Sequence, residues 1–328
     1  MQKRQNLNVL IIGGGPAGMS CALWLKNYGL NPVIVEKDKN LGGLQAKSLA
    51  SNTWLLGWQS VLGKDVAAIF SKHVAYERIQ TMLSSQIISI TKLSETEWQA
   101  TLLRAEEGAR PKNITLIVRA IVIATGTDFV GQKWIKSIPG AEKCKNLIHM
   151  GPASYMNPNS WFGDHPVIVG GGDNALECAS ILSRRGSHPI LLVRSEHFRA
   201  DQDSQGKFKD LVQTGLVDLH METEITNISM QDDEKIKIET NNNQTILSDS
   251  ILLMLGYSAN SSATIEFFGN PRPVRDENNY FVVDGNCETS IPSVYAIGDV
   301  ANPRHPCTAT AVAMGTMAAR HINNCRGK

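Results

Sequence analysis

The chain has 328 residues, of which 42% are hydrophobic and 19% charged, and its formal net charge at pH 7 is +1. That length holds two domains with separate cores, and that balance points away from nucleic acid and from an anionic membrane surface as partners. The polar residues Met1 to Asn8 and the short apolar stretch Val9–Ile12 argue against a secretory signal or a bilayer span, so a cytoplasmic location is expected.

In chain order, residues 7–12 read as a fully buried parallel strand. They run into the turn Gly13-Gly14-Gly15-Pro16-Ala17-Gly18, and a helical pattern follows from Ala17 to Tyr28, stopped by Gly29. Pro32–Val35 is a second buried strand that ends at Glu36 and completes a β-α-β unit. A helix is expected over 61–72, a polar meander of strands over about 87–118, and a buried strand from Ala120 into the tight turn Ala124-Thr125-Gly126.

The first unit's plan then recurs. Strand 167–169 enters Gly170-Gly171-Gly172-Asp173-Asn174-Ala175, and a helix runs from about Asn174 to Arg185 before Gly186 and a strand from Pro189 to Val193. Glu222 to Ser250 reads as a polar hairpin turning at Asn241-Asn242-Asn243. A buried strand over 293–297 leads to Gly298-Asp299, and a small-residue helix from Ala309 to His321 closes the chain.

Each glycine turn sits between a strand and a helix, which is what a pyrophosphate requires. Gly13 and Gly15 permit a tight turn and close approach of backbone, and Gly18 lets the helix pack on the strand. Open N–H groups at the helix start then face the phosphates. Glu36, at the end of the next strand, is placed to accept from ribose hydroxyls. In the second turn Gly170, Gly172, Asp173, Asn174 and Ala175 repeat this logic. Arg194 follows the next strand where an acid would select NADH, and Arg199 lies close behind. Arginines there suit a 2′-phosphate, so NADPH is preferred over NADH.

The residues Gly13–Gly18, Glu36, Gly42-Gly43, Ala124-Thr125-Gly126 and Gly298-Asp299 together resemble the FAD signature set of two-domain pyridine-nucleotide oxidoreductases, and in particular the low-molecular-weight thioredoxin reductases. The resemblance extends through Gly256–Asn260 to Gly315–Ala319 and covers nearly the whole chain. It implies an α/β fold of two Rossmann-like, three-layer nucleotide-binding domains, the NAD(P)H domain inserted into the FAD domain. The boundaries expected are residues 1–126 and 256–328 for FAD and 127–255 for NADPH. By the same resemblance FAD contacts Gly13, Gly15, Pro16, Ala17, Gly18, Glu36, Lys37, Gly43, Leu44, Ala124, Thr125, Gly126, Asp299, Thr308 and Ala309. A homodimer is implied as well.

One family feature is missing. Its thioredoxin reductases carry a redox Cys-x-x-Cys before the second turn, and here those positions fall near Ala153 and Met156. The chain's six cysteines, at 21, 144, 178, 287, 307 and 325, contain no such pair and no zinc-like spacing, so no metal is expected. The relay from flavin through a dithiol to thioredoxin therefore cannot run.

The expected activity is an FAD-dependent NAD(P)H oxidoreductase that delivers electrons to ferredoxin, flavodoxin, a thioredoxin-like protein or a small molecule, as in ferredoxin/flavodoxin–NADP⁺ reductases of thioredoxin-reductase type. Two alternatives stay open: disulfide reduction or dithiol oxidation through the flavin directly or through Cys307, and a non-enzymatic flavin redox sensor. Cys21 and Cys178 read as core. Trp54 and Trp58 are aromatic candidates beside the flavin, and His149, His165 and His305 are candidate proton donors.

Overall fold

Strand Asn8–Ile12 owes its burial to two parallel neighbours and to cover on both faces. The computed structural model describes residues 8–49, 51–52, 55–105, 108, 110–231 and 234–325. The chain divides into two compact units, one taking it up to Asp128 and again from Ser258, the other formed by Phe129–Tyr257. A ribbon of two short strands, Thr127–Phe129 and Tyr257–Ala259, carries the chain out and back.

In the first unit a parallel five-stranded sheet has the order Val294–Ala296, Ala120–Ile123, Asn8–Ile12, Asn31–Val35, Gln80–Met82. Alternate residues of the central strand point to opposite faces. Val9 and Ile11 pack on helices Pro16–Asn27 and Thr308–Asn324 through Met19, Leu25, Ala318 and Ile322. Leu10 and Ile12 face Ile87, Trp98 and Leu102 of a three-stranded antiparallel sheet, Ser85–Lys92, Trp98–Arg104 and Lys112–Val118. Three layers result, and the apolar runs noted in the sequence are the layer buried on both sides.

The second unit has the same construction. Its parallel sheet runs Ile148–Met150, Ile251–Leu253, Val167–Val169, Ile190–Leu192, Asp218–His220. Ile168 and Leu191 face helix Asp173–Arg184, while Val167 and Leu192 face isoleucines of a second antiparallel sheet.

That antiparallel sheet corrects the expected hairpin. It has three strands, Ile225–Met230, Ile236–Thr240 and Thr245–Ser248, and the asparagine run is only its second turn, with Asn243 at φ +61°. The first strand hid because a bulge between Ile225 and Asn227 breaks its alternation. The closing helix also starts earlier and ends later than expected, at Thr308 and Asn324; Cys307 caps its start and Cys325 its end. Among the described residues no helix is long and apolar enough to cross a membrane.

Candidate functional site

A cavity of about 580 Å³ opens in the first unit, against the carboxyl ends of strands Asn8–Ile12, Asn31–Val35, Ala120–Ile123 and Val294–Ala296. Open parallel sheets place ligands at that edge. Gly13 turns there at φ +111°, and a Cβ would lie 2.4 Å from the Ala124 carbonyl oxygen. Gly15 caps helix Pro16–Asn27 with no side-chain hydrogen bond, and the first backbone bond into that cap comes from Met19 N–H at 3.0 Å. The Ala17 and Gly18 amides ahead of it have no acceptor within the helix. A Cβ on Gly15 would meet no protein atom within 4 Å, so the space above the helix start is open to an anion.

Glu36 is buried, yet both its oxygens are engaged: Oε2 accepts from Gly14 N–H at 2.7 Å and Oε1 from Asp38 N–H at 2.9 Å. The carboxylate is thus aimed before any ribose arrives, with lone pairs left for hydroxyls. The middle glycine escaped notice in the sequence: a Cβ on Gly14 would lie 2.3 Å from Leu41. Glu36→Ala is expected to lower stability by about 1–3 kcal/mol through the stranded Gly14 amide, measured by denaturant melts of the cofactor-free protein, and to weaken FAD retention.

Across the cavity stands Asp299. Its Oδ1 is shielded from solvent and has no hydrogen-bond partner among the described residues, and burial holds its carboxyl above the ordinary range. A buried acceptor without a donor is costly unless a ligand supplies one. Polar hydroxyls of a bound flavin chain fit that vacancy in bonding.

Lys37, Gly43, Leu44, Thr125, Gly126, Thr308 and Ala309 line the same cavity, as do Pro16, Ala17, Ala124 and Cys307. Gly18 does not; it lies behind the turn, where a Cβ would come 2.1 Å from the Gly13 oxygen. Two residues that sequence reasoning missed brace the wall. Thr308 Oγ1 donates to Gln45 Oε1 at 2.7 Å, and Asn260 Nδ2 donates to the Thr125 carbonyl at 2.9 Å. Their only signal was position, beside Leu44 and after Gly256.

The half-buried Cys307 accepts from Thr310 N–H at 3.5 Å as cap of the closing helix. Cys21, Cys144, Cys178 and Cys287 are buried, and burial raises each thiol, Cys287 to about 11. Trp58 and His305 do not line the cavity, His149 and His165 belong to the second unit, and Trp54 lies outside the described residues.

In the second unit Gly170 has φ +147° with the Met254 oxygen 2.4 Å from its Cβ position, and Gly172 caps helix Asp173–Arg184 with open space above it, as in the first turn. Asp173, Asn174 and Ala175 form that helix's first turn, and Asp173 Oδ1 accepts from Asp201 N–H at 2.9 Å. The loop after strand Ile190–Leu192 folds onto the turn through Arg199 N–H to the Gly171 carbonyl, 2.7 Å. Arg194 and Arg199 are exposed and make no ion pair among the described residues. Ala153 and Met156 lie in a short helix, Pro152–Met156, pinned by fully buried Tyr155, whose hydroxyl donates to Glu177 at 2.8 Å.

Two Rossmann-like units, each with a glycine-capped helix start that no side chain bonds, define a flavin- and nicotinamide-dependent oxidoreductase. The chain belongs to the pyridine nucleotide-disulphide oxidoreductase family, whose sequence profile matches residues 7–315. It is 27% identical to the 34.2 kDa protein in the rubredoxin operon of Clostridium pasteurianum, over 97% of both chains. It is 25% identical to the ferredoxin–NADP reductase of Ligilactobacillus salivarius, covering 97% of this chain and 90% of that one. Among solved structures, the Lactococcus lactis thioredoxin reductase superposes with a TM-score of 0.75 at 20% identity, covering 97% and 98% of the two chains.

Proposed function

We propose that this chain oxidises NADPH and passes the electrons by way of FAD to a protein electron carrier of the ferredoxin or flavodoxin kind, with no cysteine relay. One observation carries the reading: both nucleotide turns are intact while the segment at Ala153 and Met156 is a helix pinned by Tyr155 rather than a dithiol. Two of the relatives' names support it, one a ferredoxin–NADP reductase and one a protein of a rubredoxin operon, while other relatives of similar identity are named thioredoxin reductase.

Bound in the first unit, the flavin supplies hydride acceptance and one- or two-electron release. The protein's part is to hold and orient it. The Gly15 helix start would take the phosphates, Glu36 the ribose and Asp299 the hydroxylated chain, while the Gln45–Thr308 bridge braces the cavity wall. In the second unit Arg194 and Arg199 hold the 2′-phosphate. Their double substitution Arg194→Ala, Arg199→Ala is expected to raise KM for NADPH about 10–100-fold, the worth of charge-assisted bonds, and to leave NADH kinetics unmoved.

Anaerobic stopped-flow mixing of FAD-loaded protein with NADPH tests the core of this: the flavin absorbance should bleach, and added ferredoxin or flavodoxin should restore it while thioredoxin does not. A spectrum unmoved by NADPH and NADH alike would refute the reading. Cys307, on the cavity wall, favours a second reading in which a disulfide is the acceptor; Cys307→Ser would abolish that chemistry and spare flavin bleaching. A homodimer, implied by the family resemblance, is to be checked by sedimentation.

A further inference from the structure

Away from the cofactor cavity, the last described turn brings together a thiol, an imidazole, a phenol and a carboxylate. Cys325 is exposed and caps helix Thr308–Asn324, its own N–H bonded back to the carbonyls of His321 and Asn323. Its Sγ lies 3.8 Å from His321 Nε2, and His321 Nδ1 lies 3.1 Å from the hydroxyl of Tyr295. Tyr295 is only 2% exposed, and the carboxylate of Glu288 stands near its hydroxyl. Glu288 is held in turn by Ser293 N–H at 2.7 Å, and Asp284 adds a second carboxylate near the ring.

In the tautomer with its proton on Nδ1, His321 donates to the Tyr295 oxygen. That assignment leaves the lone pair of Nε2 toward the sulfur. A nucleophile beside a base, with the base oriented by a buried third group, is the arrangement that activates thiols. A solitary surface cysteine has none of these.

We propose that Cys325 is a reversible S-thiolation site for low-molecular-weight disulfides, with His321 as its base and Tyr295 as the residue that positions the base. In the step, the Cys325 proton passes to His321 Nε2 and the sulfur attacks one sulfur of the disulfide. The Cys325–S bond forms as the small molecule's S–S bond breaks, and the departing thiolate takes the proton from the imidazolium. The balance is one thiol and one disulfide on each side, with no outside oxidant or reductant. The site does not depend on how the cofactor cavity is read.

The test uses the full-length, FAD-loaded protein and 5,5′-dithiobis(2-nitrobenzoate) at pH 7, with release of the coloured thiolate followed in time and the adduct located by peptide mass mapping. One equivalent should react in a fast phase and map to Cys325. Cys325→Ser should remove the phase, His321→Gln should slow it about tenfold, and Tyr295→Phe should give an intermediate rate. FAD content and bleaching by NADPH should be unchanged in His321→Gln, which separates loss of the base from loss of fold. Cystine should form the same adduct. A fast phase that maps to Cys307, or one that keeps its rate in His321→Gln, would overturn the proposal.

Discussion

Gly18→Val should leave a protein that cannot hold FAD and melts about 6–12 °C lower, whereas Gly15→Val should lose FAD with its cofactor-free melting temperature unchanged. The contrast follows from where each new side chain goes. A Cβ at Gly18 falls 2.1 Å from the Gly13 carbonyl oxygen and 3.2 Å from Ile11. Helix Pro16–Asn27 cannot retreat, because Gly315 of the closing helix already sits against it, with the Ala17 oxygen 2.5 Å from its Cβ position. Gly13 cannot yield either, since it holds φ +111° against the Ala124 carbonyl. Overpacking against immovable backbone costs about 3 kcal/mol, and for a unit of this size each kcal/mol shifts the melting temperature by about 2–4 °C. At Gly15 a Cβ meets no atom within 4 Å among the described residues beyond its own turn. Its methyls intrude only on the space left for phosphate. Calorimetry of both cofactor-free variants decides the matter: an unshifted melt for Gly18→Val, or a lowered one for Gly15→Val, would show that the turn is not built as described.

That contrast also shows what could be read without coordinates. The turns Gly13–Gly18 and Gly170–Ala175 were legible because strand, glycines and helix follow one another within a few residues, so local spacing carries the geometry. The doubly buried strands were legible for the same reason: Val9–Ile12 and Val167–Val169 have no polar face to show. What escaped depends on pairs far apart in the chain. Gln45 meets Thr308 across 263 residues, and Asn260 meets Thr125 across 135. No periodicity encodes such meetings. The three-stranded sheet was read as a hairpin because its bulge at Ile225/Asn227 breaks the alternation. The cluster of Cys325, His321 and Tyr295 was not read from the sequence, because the buried phenol behind it arrives from another strand.

Asp299→Asn should move two measurements in opposite directions: FAD binding weakens about 10–100-fold, and the cofactor-free protein becomes more stable at pH 7. The first effect follows from replacing a charged acceptor whose hydrogen bonds are each worth about 1.5–3 kcal/mol. The second follows from burial. Oδ1 has no donor among the described residues, and desolvation lifts the carboxyl above its ordinary value of 3.8. The unfolded chain carries an ordinary aspartate, so above that value it releases its proton while the folded cavity still favours keeping it. Stability linked to this group is therefore whole below pH 3.8 and is lost as the pH rises through the raised folded value. Asparagine keeps the shape and has no charge to desolvate. The melting temperatures of the two cofactor-free proteins should accordingly converge in acid and separate toward neutrality, the variant higher. Adding FAD should reverse their order, since ligand binding stabilises the wild type more. If the variant binds FAD as tightly as the wild type, Asp299 does not meet the cofactor. A variant that is less stable at every pH would mean that the carboxylate is already satisfied in the cofactor-free fold.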